Sequence, residues 1–401
     1  MAWLEIDLDA LVGNLAALRE AAGDGVRVEP VVKADAYGHG AVPVARALEA
    51  AGADGLSVAT LDEALELREA GVGLPILVLY PTPPHGVAEA LASSIALSIG
   101  AGEPSASILA AATEAAAGDG ARGRALEVHL EVETGLGRGG VLAADTARAV
   151  AEVRSAPGVR LGGVWTHLAA AELPASVRDQ DDAFARALGP LAERVAWGPG
   201  AAAVRRHLAG SGGILAEGAS RWDAVRPGLA VYGIIPAGVV PAPGRDRAAS
   251  TLRPVMGLHA RAVRVADLPA GHGVSYGPSF TTPRPTRIAT LPVGYGDGWQ
   301  RSFSDRAWAL VRGTRVPLVG RVAMDAVMAD VTDVAGPPVT ADDEFVLIGG
   351  QGDERITVDE LAAAGGTISH DVVTAMSRRL ARVYHAAGSA VAMRTLTGGR
   401  P

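Results

Sequence analysis

The chain has 401 residues, 36 basic and 44 acidic side chains, a net charge of −8, 49% hydrophobic residues, 51 glycines and no cysteine. Modest acidity with dispersed arginines argues against a nucleic-acid-binding domain, and the missing cysteine excludes disulfides, thiolate nucleophiles and cysteine-ligated metals. No basic-then-apolar leader opens the chain and no apolar run reaches spanning length, so the expected location is the cytoplasm.

Residues 3–7 read as a strand, followed by a helix over 8–19. From about 26 to 235, β-rich runs alternate with alanine-rich helical stretches. Strands are predicted over 28–33, 55–59, 75–80, 95–99, 126–133, 162–167, 205–211 and 225–232. Helices are predicted over 41–51, 61–70, 106–117, 143–155 and 176–196. Thr60 followed by Glu63 forms a capping-box signature for the second of these helices. Repeated strand–helix alternation predicts an α/β fold with a closed (β/α)8 TIM-type barrel, an open doubly wound sheet being the competitor. Pro236, Pro241, Pro243 and Gly244 then make a linker-like stretch. Beyond it lie strand patterns over 255–265, 287–293, 307–311, 316–319, 326–331 and 344–348, with helices at 358–363 and 369–382. Residues 1–235 are therefore read as a barrel and 236–401 as a mainly β domain. The strand at 3–7 has no slot in an eight-strand barrel and is a candidate for the second domain.

Lys33 is the only lysine in the chain. Arginine stays protonated, whereas a lysine amine can lose its proton and form a Schiff base with a carbonyl. A composition biased against lysine explains the scarcity equally well. In a barrel, functional groups gather at the C-terminal strand ends, and those ends carry Lys33 and Tyr37, Arg138, His167, Ser211 and Arg226. Gly210-Ser211-Gly212-Gly213 and Arg226-Pro227-Gly228-Leu229 offer backbone amides for a phosphate near the last two strands. A phosphorylated aldehyde cofactor beside Lys33 is the economical reading.

Two short motifs are decoys. Gly135-Leu136-Gly137-Arg138-Gly139-Gly140 matches the dinucleotide fingerprint, but the next predicted strand ends in Thr166-His167 and lacks the required acid. Gly273-Val274-Ser275-Tyr276-Gly277 matches a hydrolase elbow without the strand-turn-helix setting. No histidine pair has ligand spacing with a helical acid, so no metal site is expected. His129 is read as a packed structural histidine.

The segment Val32-Lys33-Ala34-Asp35-Ala36-Tyr37-Gly38-His39-Gly40 resembles the pyridoxal-phosphate attachment motif of alanine racemases. The resemblance continues in order through Glu133 to Arg138, Trp165 to Ala169, Arg226-Pro227-Gly228 and Gly273 to Gly277. It ends with Gly294 to Gly298, Val319 to Asp325 and Ser377-Arg378-Arg379. It implies that Lys33 holds pyridoxal 5'-phosphate covalently and serves as one of two bases. Tyr276, from the second domain of a partner subunit in a homodimer, is the other. His167 and Arg226 would lower the tyrosine's pKa, with Arg226 also facing the pyridine nitrogen and limiting side reactions. Arg138 would address the cofactor phenolate and the substrate carboxylate, assisted by the backbone N–H of Met324. Tyr37, Ser211, Gly228 and Leu229 match phosphate-holding positions, and Tyr295 matches the entrance tyrosine.

Two departures stand out. Glu131 occupies the position, seven residues before Arg138, where family members often carry a carbamylated lysine. Ser369-His370-Asp371 replaces a usual Asn-Tyr-Glu, leaving His370 to take over a phosphate contact. The resemblance implies racemisation of alanine, with serine or a larger amino acid as the alternative. Decarboxylases of similar plan carry a partner-derived cysteine, and non-catalytic pyridoxal-phosphate carriers resemble the first domain alone.

Overall fold

The computed structural model describes residues 1–117, 124–200 and 202–400. Two compact units result: Leu11–Ala36 with Ala41–Leu252, and Met1–Ala10 with Tyr37–Gly40 and Arg253–Pro401. Among the described residues no helix is long and apolar enough to cross a membrane.

Among the described residues the first unit holds a nine-stranded parallel sheet, in which Val141–Leu142 pairs beside Leu126–Glu133 and the other eight strands form one continuous path. Their order around the sheet is Arg27–Val28, Ala224–Arg226, Arg205–Gly210, Val159–Trp165, Leu126–Glu133, Ile95–Ile99, Ile76–Val78 and Leu56–Val58. A parallel bridge between Val31 and Ser57, with the Val32 amide donating to Ser57 O at 2.8 Å, joins the two ends. The sheet is therefore a closed barrel, which removes both edges. The alternation in Leu126–Glu133 shows how sequence dictates placement. Leu126, Val128, Leu130 and Val132 are all buried to within 1% on one face, each stabilising the fold by roughly 1.5–3 kcal/mol. Glu127, His129, Glu131 and Glu133 occupy the other face, which looks into the barrel.

Local signals hold at the cladding helices. Thr60 caps Leu61–Glu69 and Glu63 completes the capping box. Thr146–Ser155 buries Ala149, Val150 and Val153 at helical spacing, after a 3-10 turn over Ala143–Asp145. The last predicted strand is shorter than its composition indicates. It stops at Arg226, because Pro227 carries no amide hydrogen and Leu229–Tyr232 closes into a 3-10 turn ended by left-handed Gly233.

In the second unit Ala2–Asp7 lies between two strands of a twelve-stranded sheet, antiparallel to Met256–Arg261 and parallel to Ala381–Ala386. The helix predicted over 369–382 is corrected. It ends at Thr374, and the chain re-forms as the strand Ala381–Ala386 with Arg382 and Tyr384 buried on one face. Arg382 tolerates burial because its guanidinium donates to the carbonyls of Gly38, Met376, Ser377 and Leu380. The segment Tyr37–Gly40 belongs to this unit, and a Cβ at Gly38 would come within 2.2 Å of Val373 O.

Candidate active site

The strand leading to Lys33 is pinned before the lysine is reached. Val31 N donates to Pro227 O at 2.8 Å, and the buried Tyr232 hydroxyl donates to Val31 O at 2.9 Å. Lys33 then opens a turn rather than ending a strand. Ala34, Asp35, Ala36 and Tyr37 all have φ between 51° and 55°, a left-handed course without glycine. Each such residue costs roughly 1–2 kcal/mol, so the turn persists only where its surroundings over-determine it. Three bonds do this. Ala34 N donates to Glu63 Oε1 at 2.6 Å, Ala36 N to Val32 O at 2.9 Å, and Ala41 N to Asp35 Oδ1 at 2.9 Å. Strain held this way is characteristic of functional sites.

The Lys33 amine lies in a cationic, half-desolvated setting. Burial lowers its pKa first, then the nearby Arg138 and Arg226 guanidiniums, with Glu63 opposing. The net lowering favours the neutral amine, the form that acts as nucleophile and base. His167 is pushed down to about 3 by burial and by the same cations, so it stays neutral. Gln180, itself buried, fixes it by donating to His167 O at 3.0 Å and to Thr134 Oγ1 at 3.1 Å. Arg226 is buried, its pKa lowered to about 10 by desolvation. Its guanidinium lies 4.8 Å over the Trp165 ring, donates to Thr166 O at 3.0 Å and bonds His207 Nδ1.

Arg138 is steered by Glu131. Its Nη2 donates to Glu131 Oε1 at 3.1 Å, and its guanidinium stacks 5.5 Å from the Tyr80 ring centre. The short Glu131 side chain thus reaches Arg138 directly. Glu133, two residues on, accepts from the amides of Gly135, Gly137 and Arg138. Amides that a dinucleotide fingerprint would aim at a pyrophosphate are here occupied by the chain's own carboxylate. Ser211 Oγ accepts from Gly228 N at 2.9 Å and Ala230 N at 3.0 Å, which leaves its hydroxyl proton as a donor for an anionic oxygen. Leu229, between those amides, is buried.

The remaining predicted residues lie in the second unit. Tyr276 is 70% exposed in the turn between Gly273–Val274 and Phe280–Thr281, where Ser275 is left-handed and its hydroxyl donates to Arg321 O at 2.6 Å. Tyr295 N donates to Ala323 O at 3.1 Å, and Gly296 N donates to Met324 O at 2.9 Å. The loop around Arg321 to Met324 therefore holds both tyrosine turns, and Tyr295 and Met324 are exposed as well. His370 packs against Tyr37 with ring centres 6.0 Å apart, and burial pushes the Tyr37 hydroxyl up to about 12. Sequence reasoning missed Glu63's bond to Ala34, Tyr80, Gln180 and His207. Only the capping box hinted at the first, and nothing in local sequence signals the others.

A sequence model of the alanine racemase N-terminal domain matches residues 6–236, and one of the C-terminal domain matches residues 255–384. The chain belongs to the alanine racemase family. The alanine racemase of Symbiobacterium thermophilum is 42% identical over 388 residues, covering 95% of this chain and 96% of that one. Among solved structures, alanine racemase from Bacillus anthracis with bound L-Ala-P is 33% identical with TM-score 0.85, covering 99% of this chain and 98% of that one. Alanine racemase from Bartonella henselae with covalently bound pyridoxal phosphate is 28% identical with TM-score 0.80, covering 96% and 99%. Alanine racemases are isomerases, and the activity carried here is alanine racemisation.

Proposed function

We propose that this chain interconverts L- and D-alanine with Lys33 and Tyr276 as bases on opposite faces of the substrate. The observation that carries this reading is the sole lysine, set on a strained turn among cations that favour its neutral amine. The donor set of the barrel unit fits pyridoxal phosphate: the Lys33 amine would take the aldehyde, Arg226 the ring nitrogen, and the Ser211 hydroxyl with the Gly228 and Leu229 loop the phosphate. When bound, that cofactor supplies an electron sink for charge developing at Cα.

The residues divide the remaining tasks. Lys33 Nζ takes or returns the α-proton on one face, and the Tyr276 hydroxyl does so on the other. Proton transfer by a positioned side chain contributes about 10²–10⁴-fold. Arg138, held by Glu131, binds the substrate carboxylate together with the Met324 backbone, and Tyr295 lines the approach. Arg226 offers only donors, so it cannot take up a proton from its neighbour, and His167 stays neutral beside it. Exposure of Tyr276 supports a homodimer in which each copy lends this tyrosine to the other.

The test follows L-alanine conversion to D-alanine, with L-serine and larger amino acids in parallel. D-Alanine formation is expected, lost in Lys33→Arg together with covalent cofactor retention after borohydride reduction. Tyr276→Phe is expected to lower turnover about 10²-fold or more while keeping the attached cofactor. Attachment surviving in Lys33→Arg, or undiminished racemisation in Tyr276→Phe, would overturn the assignment.

A further inference from the structure

Below the site, the barrel interior contains polar groups that the reaction scheme does not use. His207 Nε2 lies 2.8 Å from His129 Nδ1, and His129 Nε2 lies 3.0 Å from Glu127 Oε1. Both rings are completely buried. At the upper end His207 Nδ1 meets Arg226, and at the lower end Glu127 pairs with Arg160 and with Arg205, the latter at 2.7 Å. A continuous path thus runs from Arg226 to the N-terminal ends of the strands. There Glu127, Arg160 and Arg205 line a cavity of about 210 Å³.

The path has one hydrogen-bonding polarity. A guanidinium has donors and no acceptor, so His207 Nδ1 must present its lone pair to Arg226 and carry its proton on Nε2. That N–H donates to His129 Nδ1, which places the His129 proton on Nε2, facing the Glu127 carboxylate. The reverse arrangement would set N–H against N–H at Arg226. Arg205 Nη2 also lies 3.0 Å from His129 Nε2, and both N–H groups converge on the same Glu127 oxygen. Burial and the surrounding arginines lower both histidines' pKa values, while Glu127 is held ionised by His129, Arg205 and Arg160.

Backbone space is reserved for this path. The strand Val159–Trp165 runs between the strands bearing His129 and His207, and there it carries Gly162 and Gly163. A Cβ on Gly163 would come within 2.5 Å of His129 Nδ1, and one on Gly162 within 2.2 Å of Glu127 Oε1. Side chains at these positions would displace the His129 ring and the Glu127 carboxylate.

We infer that Glu127, His129 and His207 are positioning residues: they form a tautomer-locked relay that orients Arg226 through a neutral acceptor while the countercharge stays two rings away. The arrangement keeps a carboxylate off the guanidinium, so Arg226 presents its full charge and remaining N–H groups to whatever binds above it. The inference rests on the reading of Arg226 as a cofactor contact.

Full-length protein labelled with [15N]histidine tests the lock, with His129→Asn and His207→Asn spectra identifying the two rings. Both rings are expected with bare Nδ1 and protonated Nε2, without titration from pH 6 to 9. A protonated Nδ1 on either ring, or titration within that range, overturns the relay, whatever the racemase activity. Glu127→Gln and Gly163→Ala are then compared with the parent. Each is expected to shift the His129 ring nitrogens and lower kcat roughly 2- to 30-fold, with KM for alanine nearly unchanged. Parental kcat in both variants overturns the positioning role. Should Glu127→Gln fail to fold by circular dichroism, Gly163→Ala and the parental tautomers still decide.

Discussion

Glu63 Oε1 accepts the Ala34 amide at 2.6 Å while Glu63 Oε2 accepts those of Ala59 and Thr60. One carboxylate therefore caps a helix and clamps the first residue of the left-handed turn after Lys33. Glu63→Ala is expected to lower stability by about 1–3 kcal/mol, beyond an ordinary cap deletion, because the strained turn loses an anchor. Urea unfolding checks the stability, and the fraction of cofactor retained after gel filtration checks the turn. Glu63→Gln, which keeps an acceptor oxygen, is expected to fall between the variant and the parent. Equal retention by all three would show that the turn stands without Glu63.

Glu131 holds Arg138 at a partly exposed site, so the pair is worth about 1 kcal/mol after solvent screening. Glu131→Gln is expected to raise KM for alanine roughly fivefold with a smaller change in kcat, as Arg138 loses its fixed orientation. Steady-state kinetics in both directions measure this. An unchanged KM would assign the orientation of Arg138 to its stacking on Tyr80.

Acid lability follows from the buried histidines. His167 titrates at about 3, and burial holds His129 and His207 below their free value as well. Between the folded and unfolded pKa values the unfolded chain binds more protons. The contribution of His167 to stability is complete above about pH 6.5 and is lost as pH falls toward 3, by up to about 1.4 kcal/mol per pH unit, and His129 and His207 act in the same direction. Urea unfolding at pH 7, 6 and 5 is expected to show this slope, shallower in His207→Asn. A flat profile across that range would mean that the rings are protonated in the folded state.

The eight-strand pattern, the capping box at Thr60 and Glu63, and the chemical singularity of Lys33 were legible because each is written in local spacing or composition. The helix expected through Arg382 was not an unreasonable local reading, but pairing with Ala2–Asp7 and four carbonyls around the Arg382 guanidinium outweighed propensity. Nor could local sequence show that Ala34 to Tyr37 turn left-handed, since alanine and aspartate do so only when distant groups hold them.

Residue types by themselves determined which chemistry is available: one side-chain amine able to attack a carbonyl, no thiol, and arginine for every other basic side chain apart from histidine. Tertiary structure alone decided what those groups face. The alternation in Leu126–Glu133 marks which residues share a side, but the strand order, with only Val159–Trp165 between them, is what brings His129 to His207 and leaves Glu127 beside Arg205. Spacing along a strand records a face, whereas the partner two strands away depends on strand order and on the two glycines that keep the way between them open.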